Sequence, residues 1–256
     1  MLQGFKDWIL PPSLPLAEIL AARGLVVPDY QRDIYDPFLM SGMKRAVERV
    51  EKAIENKEKI VIFGDYDADG VPGSAILASF FEKIGYTNFS VYIPDRHEEA
   101  YGLSKKVIDD FTKNGVKLII TVDCGISNQA EVAHALEQGI ETIVTDHHLP
   151  PSSLPKAVAI LNPKQVGDEY PYKELCGAGV AWKLARALGQ ANGLDDSWSK
   201  WLLDLVAIAT VADMVPLTGE NRALVYFGLK ILRRTPRLGL RHLVQRSGLL
   251  LSELTE

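Results

Sequence analysis

The sequence predicts an α/β fold, in which a mainly parallel five-stranded sheet is doubly wound, with helices on both of its faces. Two observations support this prediction. Five short runs rich in Val and Ile are separated by longer segments with helical periodicity, an alternation typical of βαβ units. The runs are also almost wholly apolar, as expected for strands buried on both faces. A mostly helical segment is predicted to follow, from about residue 174 to 236.

The predicted elements follow one another in a regular order. An amphipathic helix precedes the first strand, at 43–56, where Val47, Val50 and Ile54 recur at helical spacing among charged residues. A shorter helix is predicted before it, at 16–24. The predicted strands are 59–63, 89–93, 117–122, 141–145 and 157–161. Helical patterns lie between the first four strands, at 74–85, 104–115 and 128–139, and each ends at a glycine, a common helix stop.

Composition excludes several classes of protein. The longest apolar-leaning run, 202–217, contains Asp204 and Asp213, so no membrane-spanning segment is predicted. The N-terminus lacks the features of a secretory signal, and we therefore expect a cytoplasmic location. The cysteines, Cys124 and Cys176, form neither a disulfide framework nor the paired pattern of a zinc site.

The charge balance limits how the chain could bind nucleic acid. A net charge of −5 argues against binding through a general positive field. Phosphate would have to be held by local charge, and the basic stretch 230–246 is one candidate for contact with a DNA backbone. A solvated helix face explains that stretch equally well.

Acidic residues and histidines follow three of the predicted strands. The first strand runs into GDYDADG, the third into Asp123 and the fourth into TDHH. Asp213 ends a later apolar run. Because ligands of open parallel sheets bind at the carboxyl ends of the strands, we expect these residues to converge on one edge. The converging set is Asp65, Asp67, Asp69, Asp123, Asp146, His147, His148 and Asp213.

This set predicts a metal site. Crowded carboxylates disfavour one another's ionisation unless a cation compensates their charge. Oxygen ligands with one or two imidazoles suit Mn²⁺ or Mg²⁺ better than zinc. Two such ions about 3.5–4 Å apart, bridged by a carboxylate, form a clamp that attacks phosphate esters.

Simpler interpretations stay open at this point. A D-x-D sequence after a strand is often a capping or turn device, and a lone histidine is more often an ordinary hydrogen-bonded residue than a catalytic one. A calcium loop starting at Asp65 would need glutamate at its twelfth position, where this chain has Ile76.

The motifs GDYDADG, TVDCG, TDHH and VADMVP, in that order, resemble the four motifs of the DHH phosphoesterase superfamily. Within it, the sequence is most similar to the RecJ family of single-strand-specific 5′→3′ exonucleases. The blocks YIPDR with YGLS, ILNPK and CGAGVAWKLARAL carry this closer similarity, which extends over nearly the whole chain.

The resemblance implies a role for each matching residue. The implied metal ligands are Asp65, Asp67, Asp69, Asp123, His147 and Asp213, holding two divalent cations, Mn²⁺ or Mg²⁺, with Asp123 between them. Asp146 would orient the metal-binding residues without contacting a cation itself, and His148 would face the scissile phosphate. The implied catalytic residues are therefore His148, Asp146 and Asp123. Arg96, His148, Gly177 and Gly179 are candidates for binding substrate phosphate. A tight helix start would explain the two glycines equally well.

The resemblance also implies domains and partners. Residues 1–56 would be a lead-in packed on the core, 57–236 the DHH catalytic domain, and 237–256 the start of a linker to a further C-terminal domain. The implied substrate is single-stranded DNA, degraded to 5′-mononucleotides. A helicase or a single-strand-binding protein is a candidate partner, and a monomer is expected.

Two other functions remain as alternatives. One is a DHH phosphodiesterase for short oligonucleotides or cyclic dinucleotides, or a pyrophosphatase. Those relatives usually carry a histidine where this chain has Phe63, and Asp65 would fill the ligand position here. The other is a non-catalytic scaffold, which should have lost ligands that this sequence retains.

Overall fold

The computed structural model describes residues 18, 33–99 and 101–255. The predicted helix at 16–24 and most of the N-terminal lead-in therefore lie outside the described residues. The rest of the chain contains all five predicted strands and the predicted helices that follow residue 43.

The strands form one sheet in which every neighbouring pair is parallel. In chain order they are β1 (Lys59–Gly64), β2 (Phe89–Tyr92), β3 (Val116–Val122), β4 (Glu141–Thr145) and β5 (Ala159–Leu161). Their order across the sheet is β2-β1-β3-β4-β5. From β1, the chain adds β2 on one side of the sheet and then β3, β4 and β5 on the other. The strand order therefore switches between β1 and β3, the position where sheets of this type bind ligands.

The helices cover both faces of the sheet and continue beyond it. They are α1 (Met43–Glu55), α2 (Gly70–Lys83), α3 (Lys105–Lys113), α4 (Gln129–Glu137), α5 (Gly177–Ala191), α6 (Asp196–Lys200), α7 (Leu203–Ala212), α8 (Gly219–Leu232) and α9 (Leu238–Arg246). The predicted helical segment 174–236 is thus divided into four helices. Among the described residues, no helix combines the length and apolar composition needed to cross a bilayer.

Alternate residues of β1 belong to two different cores. Ile60 and Ile62 pack with residues of α1, α2, α5 and α7 in the larger core. Val61 and Phe63 point to the other face and pack with residues of α3 and α4. Because successive side chains of a strand alternate between faces, a strand that is apolar throughout needs cover on both sides. The doubly wound α/β fold predicted from the sequence is confirmed.

Helix α5 lies at the centre of the larger core. It contacts α1, α2, α6 and α7, and nearly all of its residues from Gly177 to Gly189 are buried. A helix surrounded in this way cannot move without disturbing its neighbours. The N-terminus of α5 is therefore a rigid part of the structure near the carboxyl edge of the sheet.

Helices α7 and α8 pack closely because Gly228 has no side chain. A Cβ atom at Gly228 would lie 2.2 Å from the Leu203 carbonyl oxygen and 2.6 Å from Ala207 Cβ. We expect Gly228→Ala to lower the free energy of unfolding by about 1–3 kcal/mol, the usual cost of overpacking. Urea denaturation measures this loss. Gly239→Ala on α9 is the control, because no atom lies within 4 Å of its added Cβ; equal losses in the two variants would contradict the prediction.

Candidate metal centre

The acidic residues lie where the switch in strand order opens a crevice. Asp65 directly follows β1, and Asp123 directly follows β3, the neighbouring strand. Asp67 and Asp69 lie on the turn that leads from β1 into α2, and Asp69 is the residue before that helix. The segment Asp146–His148 follows β4, and Asp213 ends α7. The convergence predicted from the strand ends is thus present.

His147 lies at the centre of this cluster. Its Nε2 is 3.2 Å from Asp123 Oδ1, 3.7 Å from Asp69 Oδ2 and 3.6 Å from Asp213 Oδ2. Within the part of the chain that the structure describes, three groups of residues each have ligand atoms within 4.8 Å of one another: Asp65, Asp67 and Asp123; Asp69, His147 and Asp213; and Asp123, His147 and His148. Asp123 belongs to two of these groups. The set Asp65, Asp67 and Asp123 and the set Asp69, His147 and Asp213 share no residue, but Asp123 of one lies 3.2 Å from His147 of the other. These two ligand sets are therefore adjacent.

Several atoms of the cluster lack hydrogen-bond partners although they are buried. They are Asp123 Oδ1, both ring nitrogens of His147 and Asp213 Oδ2. A buried polar atom without a partner costs about 1–3 kcal/mol. Bound cations would satisfy Asp123 Oδ1, Asp213 Oδ2 and one ring nitrogen of His147, because each of these can donate an electron pair to a metal, whereas the other ring nitrogen of a neutral imidazole carries a proton. The residues present thus fit divalent cations with oxygen and imidazole ligands.

Asp69 is held by the N-terminus of α5. Its Oδ2 accepts a hydrogen bond from the Gly177 N–H and its Oδ1 one from the Ala178 N–H, each at 2.6 Å. The positive end of the helix dipole and these two donors favour a carboxylate at this position. The contact fixes the orientation of Asp69 towards His147.

The two glycines at the start of α5, Gly177 and Gly179, have partners that the resemblance did not imply. The N–H of Gly177 is bound to Asp69, and the N–H of Gly179 donates to Cys176 Sγ at 3.4 Å. Both residues are buried. Because their N–H groups have partners inside the protein, the geometry favours the alternative, a tight helix start, and phosphate binding by these glycines stays a prediction.

Asp146 holds the segment that contains the two histidines. Its Oδ1 accepts the N–H groups of His147 and His148 at 2.7 and 3.0 Å and lies 2.8 Å from His148 Nδ1. Its Oδ2 accepts the Ile126 N–H at 2.9 Å. Asp146 belongs to none of the three groups of converging ligand atoms, and its oxygens instead hold the histidine segment and Ile126. It is therefore placed to orient its neighbours rather than to bind metal. The His148 side chain is 48% exposed, so it remains accessible from outside.

Sequence reasoning missed Tyr101, which contacts this segment. Its hydroxyl donates to the Asp123 carbonyl oxygen at 2.9 Å and lies 3.4 Å from His148 Nδ1. Asp123 itself has a positive φ of 61°, a conformation that costs energy in a residue other than glycine. Tyr101 is the first residue of the block YGLS, one of the blocks that carry the similarity to RecJ exonucleases. Nothing in that block indicates that the tyrosine is a neighbour of Asp123.

Burial sets the protonation of the cluster. Burial, with the charges of Asp69 and Asp67, raises the pKa of Asp123 to about 10. Burial also raises the pKa of Asp69 to about 6 and lowers the pKa of His147. The hydrogen bond to Asp146 raises the pKa of His148 to about 9. Without cations the cluster therefore retains protons that metal binding would release.

These shifts predict how the stability of the metal-free protein depends on pH. The folded pKa values of Asp123 and His148 exceed their ordinary values of 3.8 and 6.5, so the folded state binds more protons than the unfolded state. Stability from such groups is lost as pH rises through the folded pKa. The lowered pKa of His147 makes the stability increase as pH rises, but only below about pH 6.5. We expect the melting temperature in EDTA to fall from pH 6.5 to 9, and saturating Mn²⁺ to reduce this slope; parallel profiles would contradict the prediction.

Arg96 and the basic stretch lie outside the cluster. The Arg96 guanidinium is stacked 4.7 Å from the centroid of the Tyr66 ring, and its exposed side chain lies at the rim of the site, because Tyr66 separates Asp65 from Asp67 in the chain. In the basic stretch, Arg233 donates to the Leu254 carbonyl oxygen and Arg237 binds Asp204. Helix α8 has 14 residues, so it separates this stretch from the loop after Asp213 by roughly 20 Å along its axis.

Comparison with known proteins identifies the family. The sequence profile described as "DHH family, N-terminal domain" matches residues 59–210, more than half of the chain. The chain belongs to the DHH family. The matched region of this DHH chain includes every strand of the sheet and the three segments that follow β1, β3 and β4.

Several proteins similar to this chain are RecJ exonucleases, as the flanking motifs predicted. The single-stranded-DNA-specific exonuclease RecJ of Bacillus subtilis (strain 168) is 46% identical over 241 residues, which cover 91% of this DHH chain and 30% of the relative. A crystal structure of exonuclease RecJ bound to manganese has a TM-score of 0.74 at 38% identity, over 82% of this chain and 52% of the other. RecJ from Thermus thermophilus in complex with Mg²⁺ has a TM-score of 0.59 at 31% identity, over 83% and 26%. This chain thus spans about a third of the Bacillus relative.

Proposed function

We propose that this DHH chain carries the catalytic centre of a 5′→3′ exonuclease that is specific for single-stranded DNA and releases 5′-mononucleotides. The observation that carries the proposal is the pair of adjacent ligand sets that meet at Asp123 and contain buried atoms without partners. The RecJ relatives are single-strand-specific exonucleases, which supports the choice of substrate. A non-catalytic scaffold is disfavoured because the full set of donor residues is present.

The ligand sets suggest where two cations would bind. Asp65, Asp67 and Asp123 would hold one, and Asp69, His147 and Asp213 the other, with Asp123 shared between them. When bound, such cations activate water for attack on a phosphodiester and neutralise the charge that develops on its oxygens. RecJ relatives are known with Mn²⁺ and with Mg²⁺, and we propose either ion for this chain.

The remaining residues would position the substrate. His148 is fixed through Nδ1 by Asp146, which leaves Nε2 to donate a hydrogen bond to the scissile phosphate as its negative charge increases. Arg96, exposed at the rim, would grip a phosphate of the strand, since guanidinium forms paired hydrogen bonds with phosphate oxygens. Asp146 would act only through the histidine segment.

We further propose that the protein works as a monomer in the cytoplasm, with a helicase or single-strand-binding protein delivering the DNA end. We also propose the domain limits that the resemblance implies, with a lead-in at 1–56, the DHH domain at 57–236 and a linker start at 237–256. The match of the DHH profile to residues 59–210 supports the central domain, whereas the location, the monomeric state and the partner rest on the resemblance of the motifs alone.

One assay tests the function. The protein is incubated with Mn²⁺ and 5′-labelled single-stranded DNA, duplex DNA or a cyclic dinucleotide, in parallel with Asp123→Ala. We expect labelled mononucleotide from the single strand alone, and none from the variant. Cleavage of the cyclic dinucleotide alone would favour the other phosphodiesterase class, and an absence of cleavage with every substrate would favour the scaffold. Either result would refute the proposal.

A further inference from the structure

The segment that contains the two histidines is held from two sides. Asp146 binds it from one side. On the other side lies Asn162, which directly follows β5 and is completely buried. The Asn162 Nδ2 donates a hydrogen bond to the His148 carbonyl oxygen at 2.9 Å. This contact joins the end of β5 to the residue that faces the substrate.

The geometry requires an asparagine at this position. While Nδ2 donates to His148, the Oδ1 of Asn162 accepts the Lys164 N–H at 2.9 Å, which forms a local turn across Pro163. Aspartate can accept but not donate, and alanine can do neither. Both ends of the amide are thus used, one for the local turn and the other for the long-range contact.

The main chain around Asn162 is itself fixed. Gln165 Nε2 donates to the carbonyl oxygens of Ile160 and Asn162 at 2.9 and 3.1 Å. The Asp146 N–H donates to the Leu161 carbonyl oxygen at 3.0 Å, which extends the pairing of β4 and β5 to the start of the histidine segment. The Asn162 amide therefore projects from a rigid support, just beyond the last paired residues.

The contact lies where the histidine segment leaves the protein interior. His147 is buried, the His148 side chain is 48% exposed, and Leu149 after it is 81% exposed. On the buried side, the N–H groups of His147 and His148 are bound by Asp146. On the exposed side, the carbonyl group of His148 is bound by Asn162. Without that bond, the exposed end of the segment would have more freedom, while His147 would keep its contacts.

We propose that Asn162 is a positioning residue, which sets where His148 lies against the scissile phosphate and does not hold a metal. This inference rests on the proposed function. A catalytic group that is displaced by about 1 Å can lose about 100-fold in rate. The loss should appear in kcat, because Asn162 does not contact the substrate-binding rim at Arg96.

A double-mutant cycle tests the proposal, with the single variants Asn162→Ala and His148→Ala and the double variant, assayed on single-stranded DNA with saturating Mn²⁺. We expect Asn162→Ala to lower kcat by about 10- to 100-fold with KM nearly unchanged. In the His148→Ala background the same substitution should have almost no effect, because the group it positions is absent. The Mn²⁺ concentration that gives half-maximal thermal stabilisation should not change.

Two further variants complete the test. Asn162→Asp keeps the volume and the bond to Lys164 but cannot donate to His148, so it should lose as much kcat, and it replaces Asn162→Ala in the cycle if that variant does not fold. Asn88→Asp is the control, because Asn88 Nδ2 also donates to a main-chain carbonyl, that of Lys57 at 2.9 Å, at the opposite edge of the sheet. It should keep wild-type kcat.

The outcomes separate this inference from the proposed function. A wild-type protein without activity on single-stranded DNA would refute the function and the inference with it. An active wild-type protein in which Asn162→Ala is harmless, adds fully to His148→Ala or weakens Mn²⁺ binding would refute the inference alone.

Discussion

Replacement of Asp123 by asparagine is expected to abolish nuclease activity and, in the absence of metal, to stabilise the protein. Asparagine has nearly the same shape but carries no charge. Asp123 is a member of one ligand set, and its Oδ1 lies 3.2 Å from His147 Nε2 of the other, so its loss should weaken both cation sites and cost several kcal/mol of transition-state stabilisation, about 10³-fold or more in rate. The stabilisation follows because burial and the charges of Asp69 and Asp67 raise the pKa of Asp123 to about 10, so the aspartate is costly to keep in the folded state at neutral pH.

Thermal unfolding in EDTA and in Mn²⁺, with nuclease assays, measures both effects. The wild-type melting temperature should rise with Mn²⁺, because a ligand that binds the folded state stabilises it. The Asp123→Asn protein should have a higher melting temperature than the wild type in EDTA, and Mn²⁺ should change that temperature little. Asp109→Asn is the matched control, since Asp109 also pairs with a histidine, His134 at 2.7 Å, but on the surface between α3 and α4. Retention of Mn²⁺-dependent activity in Asp123→Asn would disprove the assignment of Asp123 as a metal ligand.

Addition of one methyl group at Gly177 should lower nuclease activity nearly as much as Asp123→Asn does. A Cβ atom there would lie 2.6 Å from Asp123 Cβ and 2.7 Å from Asp123 Oδ1. Either Asp123 or the first turn of α5 must move, and movement of α5 would break the bonds from Gly177 and Ala178 to Asp69. We expect Gly177→Ala to lower activity by about 100-fold or more, as for other displacements near 1 Å, and to weaken Mn²⁺ binding.

Gly179→Ala provides the control in the same helix turn. Its added Cβ would meet Leu175 Cβ at 3.5 Å, an ordinary van der Waals contact. Activity and the Mn²⁺-dependent rise in melting temperature are compared for the two variants. Full activity in Gly177→Ala, or equal losses in both variants, would show that the close approach to Asp123 is not what the glycine provides.

The sequence by itself determined the sheet and most of the cluster. The β-branched runs predicted each strand, and the residues after β1, β3 and β4 were predicted to meet because parallel strands end at one edge. Asp65, Asp123 and His147 could therefore be brought together without coordinates. The order of the four motifs then gave the DHH family.

Only the tertiary structure decided how the cluster is held. Asp69 binds the N–H of Ala178, which is 109 residues away in the chain, and Tyr101 and Asn162 contact the site through side-chain hydrogen bonds. Periodicity and strand order fix which chain segments are neighbours, but they do not fix side-chain directions. For the same reason the sequence could not distinguish a phosphate-binding Gly177 from one that lets α5 approach Asp123, because that approach is so close that a Cβ added at Gly177 would lie only 2.6 Å from Asp123 Cβ.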